Sequence, residues 1–490
     1  MLKKFFRNAK RGQAIVIIAL MFVGLVAIIG LLTDGGMLLI EYARLKRGID
    51  AAAIAAAQQF RKNFTQADLT NAAQEFLQLN QSDVFDVQTD TCLNRPGDPV
   101  LCTTPLRKLV RVTASRRVNF GFLRVIGINS TDITATSIGE AASIDMVLVI
   151  DTSASMAWET SGDPNQSNPG DDPSVCNLDN SCQPLKSVKA IARQFIAKMF
   201  FPYDRVAVVA LTSQVPNGSR NPTLVWQLQS TGNGVTDQAN VDNALAGLKV
   251  YEPPICNWGP PASPAKGACL NYGNPPGAFV GLDCPGYRYG ADLIPNSGDE
   301  VYNPSSCPSS NVGGADLLAG IAFAGDTRTS PPAPPGAGTR KDSFWVVISL
   351  VGGPANASTP SSGDLATHPD GYCPPSTWAL PFCYDSDSAT RHANGDPKYD
   401  AEDYARDMAD FVADPVNGQG ATMFTIGLGN LIRNSPSGDP AAAEKLLQYI
   451  ALTAGGVTAN HGNYFYAPDT TGLTTIFNDI YSKITTRISQ

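Results

Sequence analysis

From Ala14 to Leu32 the chain runs 19 residues without a charge or anything more polar than glycine. In a bilayer core no water is at hand to satisfy backbone groups, so such a run crosses as a helix, and about 20 residues suffice to cross. Lys3, Lys4, Arg7, Lys10 and Arg11 precede it, while the 490-residue chain as a whole carries a net charge of −8. A basic flank before a first span stays in the cytoplasm and sends the remainder of the chain across the membrane. The expectation is a single-pass protein of the cytoplasmic membrane. Residues 1–13 form a cytoplasmic basic segment and 14–33 the transmembrane helix, with the bulk extracytoplasmic. A cleaved secretory signal is the competing reading, but the run is long for a signal core and no small-x-small site comes after it. A prepilin-type cut after Gly12 is a further alternative, although the fifth residue beyond it is the apolar Ile17.

All ten cysteines lie beyond the span, as disulfides in an oxidising exterior would require. Spacing suggests local pairs, Cys92 with Cys102, Cys176 with Cys182 and Cys373 with Cys383. Two more bridges would fall among Cys256, Cys269, Cys284 and Cys307, with connectivity left open. Zinc is disfavoured, because there is no CxxC pair and the histidines are only His368, His392 and His461. The acidic balance argues against a nucleic-acid partner.

Helical spacing continues past the span through Met37, Leu38, Tyr42, Leu45 and Ile49 into the alanine-rich DAAAIAAAQQF at 50–60. Residues 34–80 are expected as an extended helix or stalk with a second helix at 65–80. Its small-sided outer half suits packing with other helices. Residues 81–142 read as a small strand-rich module: 83–89 and 108–119 alternate apolar and polar residues, 120–126 suggests a helical turn, and 131–140 a closing strand. From 143 to 490, strands at 146–150, 205–212, 343–351 and 421–428 alternate with helices at 183–201, 236–249 (capped by Thr236), 315–324, 399–413, 441–453 and 469–487. An edge strand at 223–229 and a short one at 464–466 complete the sheet. This order predicts an α/β domain with a doubly wound parallel sheet, interrupted by Pro- and Gly-rich, Cys-containing insertions at 157–182, 251–312 and 353–397 that read as a stapled surface cap.

Two stretches resemble known families. MVLVIDTSASM at 146–156 ends a buried strand in Asp151, followed by Ser153 and Ser155. It resembles the first segment of the metal-ion-dependent adhesion site of von Willebrand factor A domains, a family that binds partners on a Rossmann-like fold. One carboxylate and two hydroxyls are hard oxygen donors of the kind Mg²⁺ prefers. The resemblance implies two further donors, a Thr after a Gly-Gly helix start and the Asp of a Thr-Asp-Gly loop. Here Ala315 follows Gly313-Gly314, and Val351-Gly352-Gly353 occupies the third loop, so the metal site is expected to be incomplete, with Asp316 as the candidate substitute. The second stretch is the amino-terminal span with Asp34-x-Gly36, the run Tyr42 to Leu45, and Asp50 to Ala53. Together with VRVTASRRVNFGFLRVIGINSTDITATSIGEAA in the strand module, it resembles TadG-like proteins of tight-adherence (Flp) pilus systems. Lys46 and Arg47 stand where that family usually has Gln.

No GxxxxGK[ST], HExxH or GxSxG occurs, and Gly427-x-Gly429 lacks a third glycine. Glu402, Asp403, Asp407 and Asp410 read as the solvated face of one helix. Asp163, Asp171 and Asp172 offer at most a loose Ca²⁺ site without EF-hand spacing. The chain is therefore expected to be a non-enzymatic, membrane-anchored binding protein of a pilus or adhesion apparatus, with no cofactor except Mg²⁺ at the incomplete site. Its partners would be apparatus proteins, and pilin-like helices could pack on its stalk. The alternative is a stand-alone surface adhesin or sensor without a pilus connection.

Overall fold

The computed structural model describes residues 11–158, 171–216, 221–252, 269–271, 281–283, 287–288, 301–302, 311–323, 343–355, 401–416, 418–434 and 440–488. The expected Cys373–Cys383 bridge and the bridges among Cys256, Cys269, Cys284 and Cys307 fall on segments outside these or on fragments of them, as do His368, His392 and Asp163. The chain divides into two compact units, Met1–Ala141 and Ala142–Gln490.

The first unit is built on one uninterrupted helix, α1 (Arg11–Gln58), long and apolar enough to cross a membrane. Its side chains from Ile15 to Leu32 are exposed all round except at Gly30, as a lipid-facing helix demands. Further along, Leu45, Ile49, Ala52, Ala53, Ala56 and Ala57 are fully buried. They pack against α2 (Gln66–Asn80) and a three-stranded antiparallel sheet, β1 (Val84–Asp90), β2 (Lys108–Asn119) and β3 (Ser130–Ala141), in spatial order β1-β2-β3. The small-sided face expected to receive other helices is thus covered by the chain's own sheet. Contact is so close that a Cβ on Gly139 of β3 would fall 2.1 Å from the carbonyl oxygen of Ala53, which glycine alone permits. Lys46 helps bind helix to sheet, its Nζ donating to Asp50 Oδ1 and to the Thr136 carbonyl, both at 2.8 Å. Helix α2 starts with a capping box between Thr65 and Asp68. Cys92 and Cys102 are bridged as expected.

The second unit holds a six-stranded sheet. Its strands are β4 (Ile144–Ile150), β5 (Arg205–Ala210), β6 (Thr223–Trp226), β11 (Phe344–Val351), β12 (Thr422–Leu428) and β13 (Tyr464–Ala467). Two-stranded ribbons, β7 (Cys269–Asn271) with β8 (Gly281–Asp283) and β9 (Tyr287–Arg288) with β10 (Val301–Tyr302), lie between in sequence. The order across the large sheet is β13-β12-β11-β4-β5-β6. Every neighbour is parallel except β6, which runs antiparallel at the edge. The strands' even and odd residues enter different cores. Met146, Leu148 and Ile150 of β4 pack with Phe195 of α4 (Leu185–Ile196), Leu245 of α5 (Gly234–Ala246) and Phe477 of α9 (Leu473–Ile488). Val147 and Val149 pack with Ala319 of α6 (Val312–Ala322), Ala409 of α7 (Ala401–Ala413) and Leu446 of α8 (Ala442–Leu452). Among the described residues three helices cover each face and make the sheet doubly wound, as the order of elements predicts. The strands are nearly continuous in apolar residues because both faces are covered.

Some details depart from the sequence expectations. Helix α5 begins two residues earlier than expected, because Asn233 is its cap, accepting from the N–H groups of Val235 and Thr236. The insertion after β4 contains a further helix, α3 (Pro173–Asp179), stapled by Cys176–Cys182. Glu402, Asp403 and Asp407 of α7 are buried rather than solvated, and Asp410 accepts from Tyr449 Oη and the Gly455 N–H.

Candidate functional site

In a doubly wound sheet, loops at the carboxyl ends of the strands gather where strand order reverses. That place here is the end of β4, between β11 and β5. The chain leaves β4 at Asp151, whose N–H donates to the Leu350 carbonyl at 2.8 Å. The fully buried Asp151 carboxylate accepts from the Ser153 N–H through Oδ1 at 2.8 Å and from the Gly352 N–H through Oδ2 at 2.6 Å. Ser153 Oγ and Ser155 Oγ lie 2.9 Å apart and share a hydrogen bond. Next to them Thr152 and Thr212 pair their hydroxyls at 2.8 Å, and the Tyr251 N–H donates to the Thr152 carbonyl. The first loop is thereby tied to the ends of β5 and β11. Asn177 of α3 exchanges hydrogen bonds with the backbone of Val250, so the disulfide-stapled helix borders the same strand-end surface.

The structure brings Asp151, Ser153 and Ser155 together, and Gly352 with them. A Cβ on Gly352 would sit 3.4 Å from both Asp151 Oδ2 and Ser155 Oγ. The missing aspartate of the third loop would have pointed there. Asp316 makes no hydrogen bond to this cluster. It is fully buried on α6, neither of its oxygens has a hydrogen-bond partner among the described residues, and burial pushes its carboxyl well above the usual range. Burial, with the charge of Asp316 second, also raises the Tyr404 phenol. On the same helix Gly313 is crowded by Tyr404 and Ala405 of α7.

Octahedral Mg²⁺ with bonds of about 2.1 Å has neighbouring ligands about 3 Å apart, and the serine oxygens meet that spacing. The set stops there: Ala315 and Gly352 contribute no side-chain oxygen. The residues present do not fit the five-donor metal of a complete adhesion site. Among the described residues no group of three or more His, Cys, Asp or Glu converges to hold a metal.

One contact was not expected from the sequence, although Asp34 and the 121–123 stretch both belong to the motifs of the second resemblance. In the first unit Asp34 is 3% exposed. Its carboxylate accepts from the N–H groups of Gly121 at 2.8 Å, Phe122 at 3.0 Å and Leu123 at 2.7 Å. Its signal in sequence is a lone acidic residue directly after an apolar run, which composition alone does not distinguish from the solvated end of a span.

The second unit is thus a doubly wound, Rossmann-like domain with Asp151, Ser153 and Ser155 gathered at its strand ends, and it follows an amino-terminal helix long and apolar enough to cross a membrane. Residues 12–59 match the family model described as putative Flp pilus-assembly TadE/G-like, so the amino-terminal segment is TadE/G-like, as its motifs suggest. No curated protein matches the chain. Among solved structures, the chain is similar to a variant of the PilB minor pilin from Streptococcus sanguinis, with 13% identity, a TM-score of 0.35, and coverage of 83% of this chain and 80% of that one. It is also similar to an aerotolerance-related membrane protein from Bacteroides fragilis, with 11% identity, a TM-score of 0.29, and coverage of 70% and 100%. A third likeness is to the vWF domain of the type V pili tip protein Mfa5 from Porphyromonas gingivalis, with 15% identity, a TM-score of 0.27, and coverage of 71% and 97%.

Proposed function

We propose that this chain is a membrane-anchored, extracytoplasmic protein of a Tad/Flp pilus-assembly or adhesion apparatus that works by docking other proteins. The observation that carries this is the TadE/G-like segment at residues 12–59, joined in one chain to a von Willebrand factor A-like domain. The anchor fixes the molecule beside the apparatus, and the strand-end loops around Asp151, Thr212 and Gly352 present the docking surface.

Docking is metal-independent. Asp151 serves structure, holding the first and third loops together through the Ser153 and Gly352 N–H groups, much as a buried carboxylate is stabilised when backbone donors saturate it. The function is non-catalytic. Among the described residues of the first loop, the Asp151 carboxylate is engaged with backbone and the Ser153 and Ser155 hydroxyls with each other, whereas general acid–base chemistry asks for a group poised to exchange a proton with substrate.

The test is co-purification from native membranes. The full-length chain is expected to recover Flp pilus-assembly proteins, and a chain whose residues 12–59 are replaced by an unrelated span should recover far less. Recovery of none of them by the native chain would overturn the pilus assignment.

A further inference from the structure

The loop between β2 and β3 contains a short 3₁₀ turn, Leu123–Ile126, and its exposed face is apolar. Phe122 is 45% exposed, Val125 86%, Ile126 71% and Ile128 48%. Four large apolar side chains at one loop tip form a patch that a water-facing loop rarely carries. Its position gives the patch a meaning. A Cβ on Gly30 would lie 2.7 Å from Phe122 Cβ, so the loop rests against α1 inside the apolar run, just before the run's end at Leu32. At 1.5 Å per residue, Gly30 is only about 5 Å along the axis from residue 33.

Asp34 holds the loop there. It is the first charged residue after Arg11, and it spends its charge on three consecutive backbone N–H groups of the loop. Consecutive N–H groups converging on an anion form a nest, and a carboxylate so saturated needs no water. The aspartate can therefore sit at the edge of the hydrocarbon. On α1 beyond it, Leu39 and Ile40 remain exposed, so apolar surface continues past the level of the clasp. Arg124 is the only charged residue of the loop tip, and it is exposed, able to reach phosphates with its guanidinium while its stem lies among acyl chains.

We propose that the tip of this loop, Phe122 to Ile128, inserts into the outer boundary of the phospholipid bilayer beside α1, as a second membrane contact that fixes the tilt and rotation of the first unit. The occupant of the patch is lipid because the patch is continuous with the lipid-facing surface of α1. The inference rests on residues 14–33 being a span.

The test uses the full chain in phospholipid nanodiscs with a dansyl-bearing amino acid placed in turn at Val125, at Leu25 within the span, and at Leu79, an exposed position on α2. Lipids with a nitroxide near the headgroup and aqueous iodide serve as opposing quenchers. The expected result is strong lipid quenching and little iodide quenching at Val125 and Leu25, with the reverse at Leu79. Lipid quenching at Leu25 but iodide quenching at Val125 would overturn the inference and leave the anchor standing. Protection of Val125 from both quenchers would overturn it in favour of a second copy covering the loop. A Leu25 open to iodide would remove the span itself, and the inference with it.

Discussion

Gly352 stands where a complete adhesion site has its third-loop aspartate, and its missing side chain would point between Asp151 and Ser155. Gly352→Asp combined with Ala315→Thr should therefore create what the native chain lacks. Isothermal titration is expected to give saturable Mg²⁺ binding with a dissociation constant at or below about 1 mM in the double variant and none in the native chain. Heat from the native chain that vanishes in Asp151→Ala would reverse the conclusion. A second residue reports through pH. Asp98, paired with Arg111 at 2.7 Å, has its carboxyl lowered from 3.8 to about 2, first by the Arg111 hydrogen bond and then by the Val100 N–H. A depressed folded-state value means the carboxylate favours folding above pH 3.8 and stops doing so as pH falls through about 2. Asp98→Asn should flatten the decline in melting temperature of the first unit between those two pH values, and an unchanged slope would show that the pair does not act on stability. The three gathered site residues, Asp151, Ser153 and Ser155, were legible because a strand ending in DxSxS fixes their place. The clasp at Asp34 was not, since its partners are backbone groups almost ninety positions away and leave no side-chain signature.

At the scale of elements, β4 and β5 are joined by a buried pair as well as by their ladder. Arg205 meets Asp145 through Nε–Oδ1 at 2.9 Å and Nη2–Oδ2 at 2.8 Å, and Ser343 Oγ donates to the same carboxylate at 2.6 Å. Asp145→Ala strands the guanidinium and is expected to cost about 3–5 kcal/mol of unfolding free energy by denaturant titration. The loop before β3 offers a local counterpart. Asp34→Ala leaves three N–H groups without their acceptor, and amide exchange at Gly121, Phe122 and Leu123 should speed up by about tenfold or more, while the paired amides of β2 and β3 keep their protection. Equal exchange in both proteins would mean the clasp does not hold the loop. The elements themselves were largely readable, because apolar strands and amphipathic helices alternate with distinct periods. Errors arose where tertiary packing overrode local pattern. The acidic residues of α7 look solvated in sequence and are buried in the fold, and the alanine face of α1 looks open for partners but is occupied by β3.

As a whole, the molecule joins a helix long and apolar enough to cross a membrane, a small module clasped to it, and a doubly wound domain whose strand-end loops are proposed to dock protein without a resident metal. The alternation of strands and helices from residue 143 onward predicted the doubly wound sheet. Its use had to be inferred from the anchor, because a domain of this architecture hosts many functions and among the described residues no site chemistry distinguishes them. The decisive measurement places a photo-crosslinking amino acid at Val215, exposed just after β5 and close in sequence to Thr212, in the full chain within native membranes. Metal-free docking predicts a crosslink to a pilus-assembly protein, unchanged when divalent cations are chelated. A crosslink that disappears on chelation and returns with Mg²⁺, or no crosslinked partner at all, would contradict it.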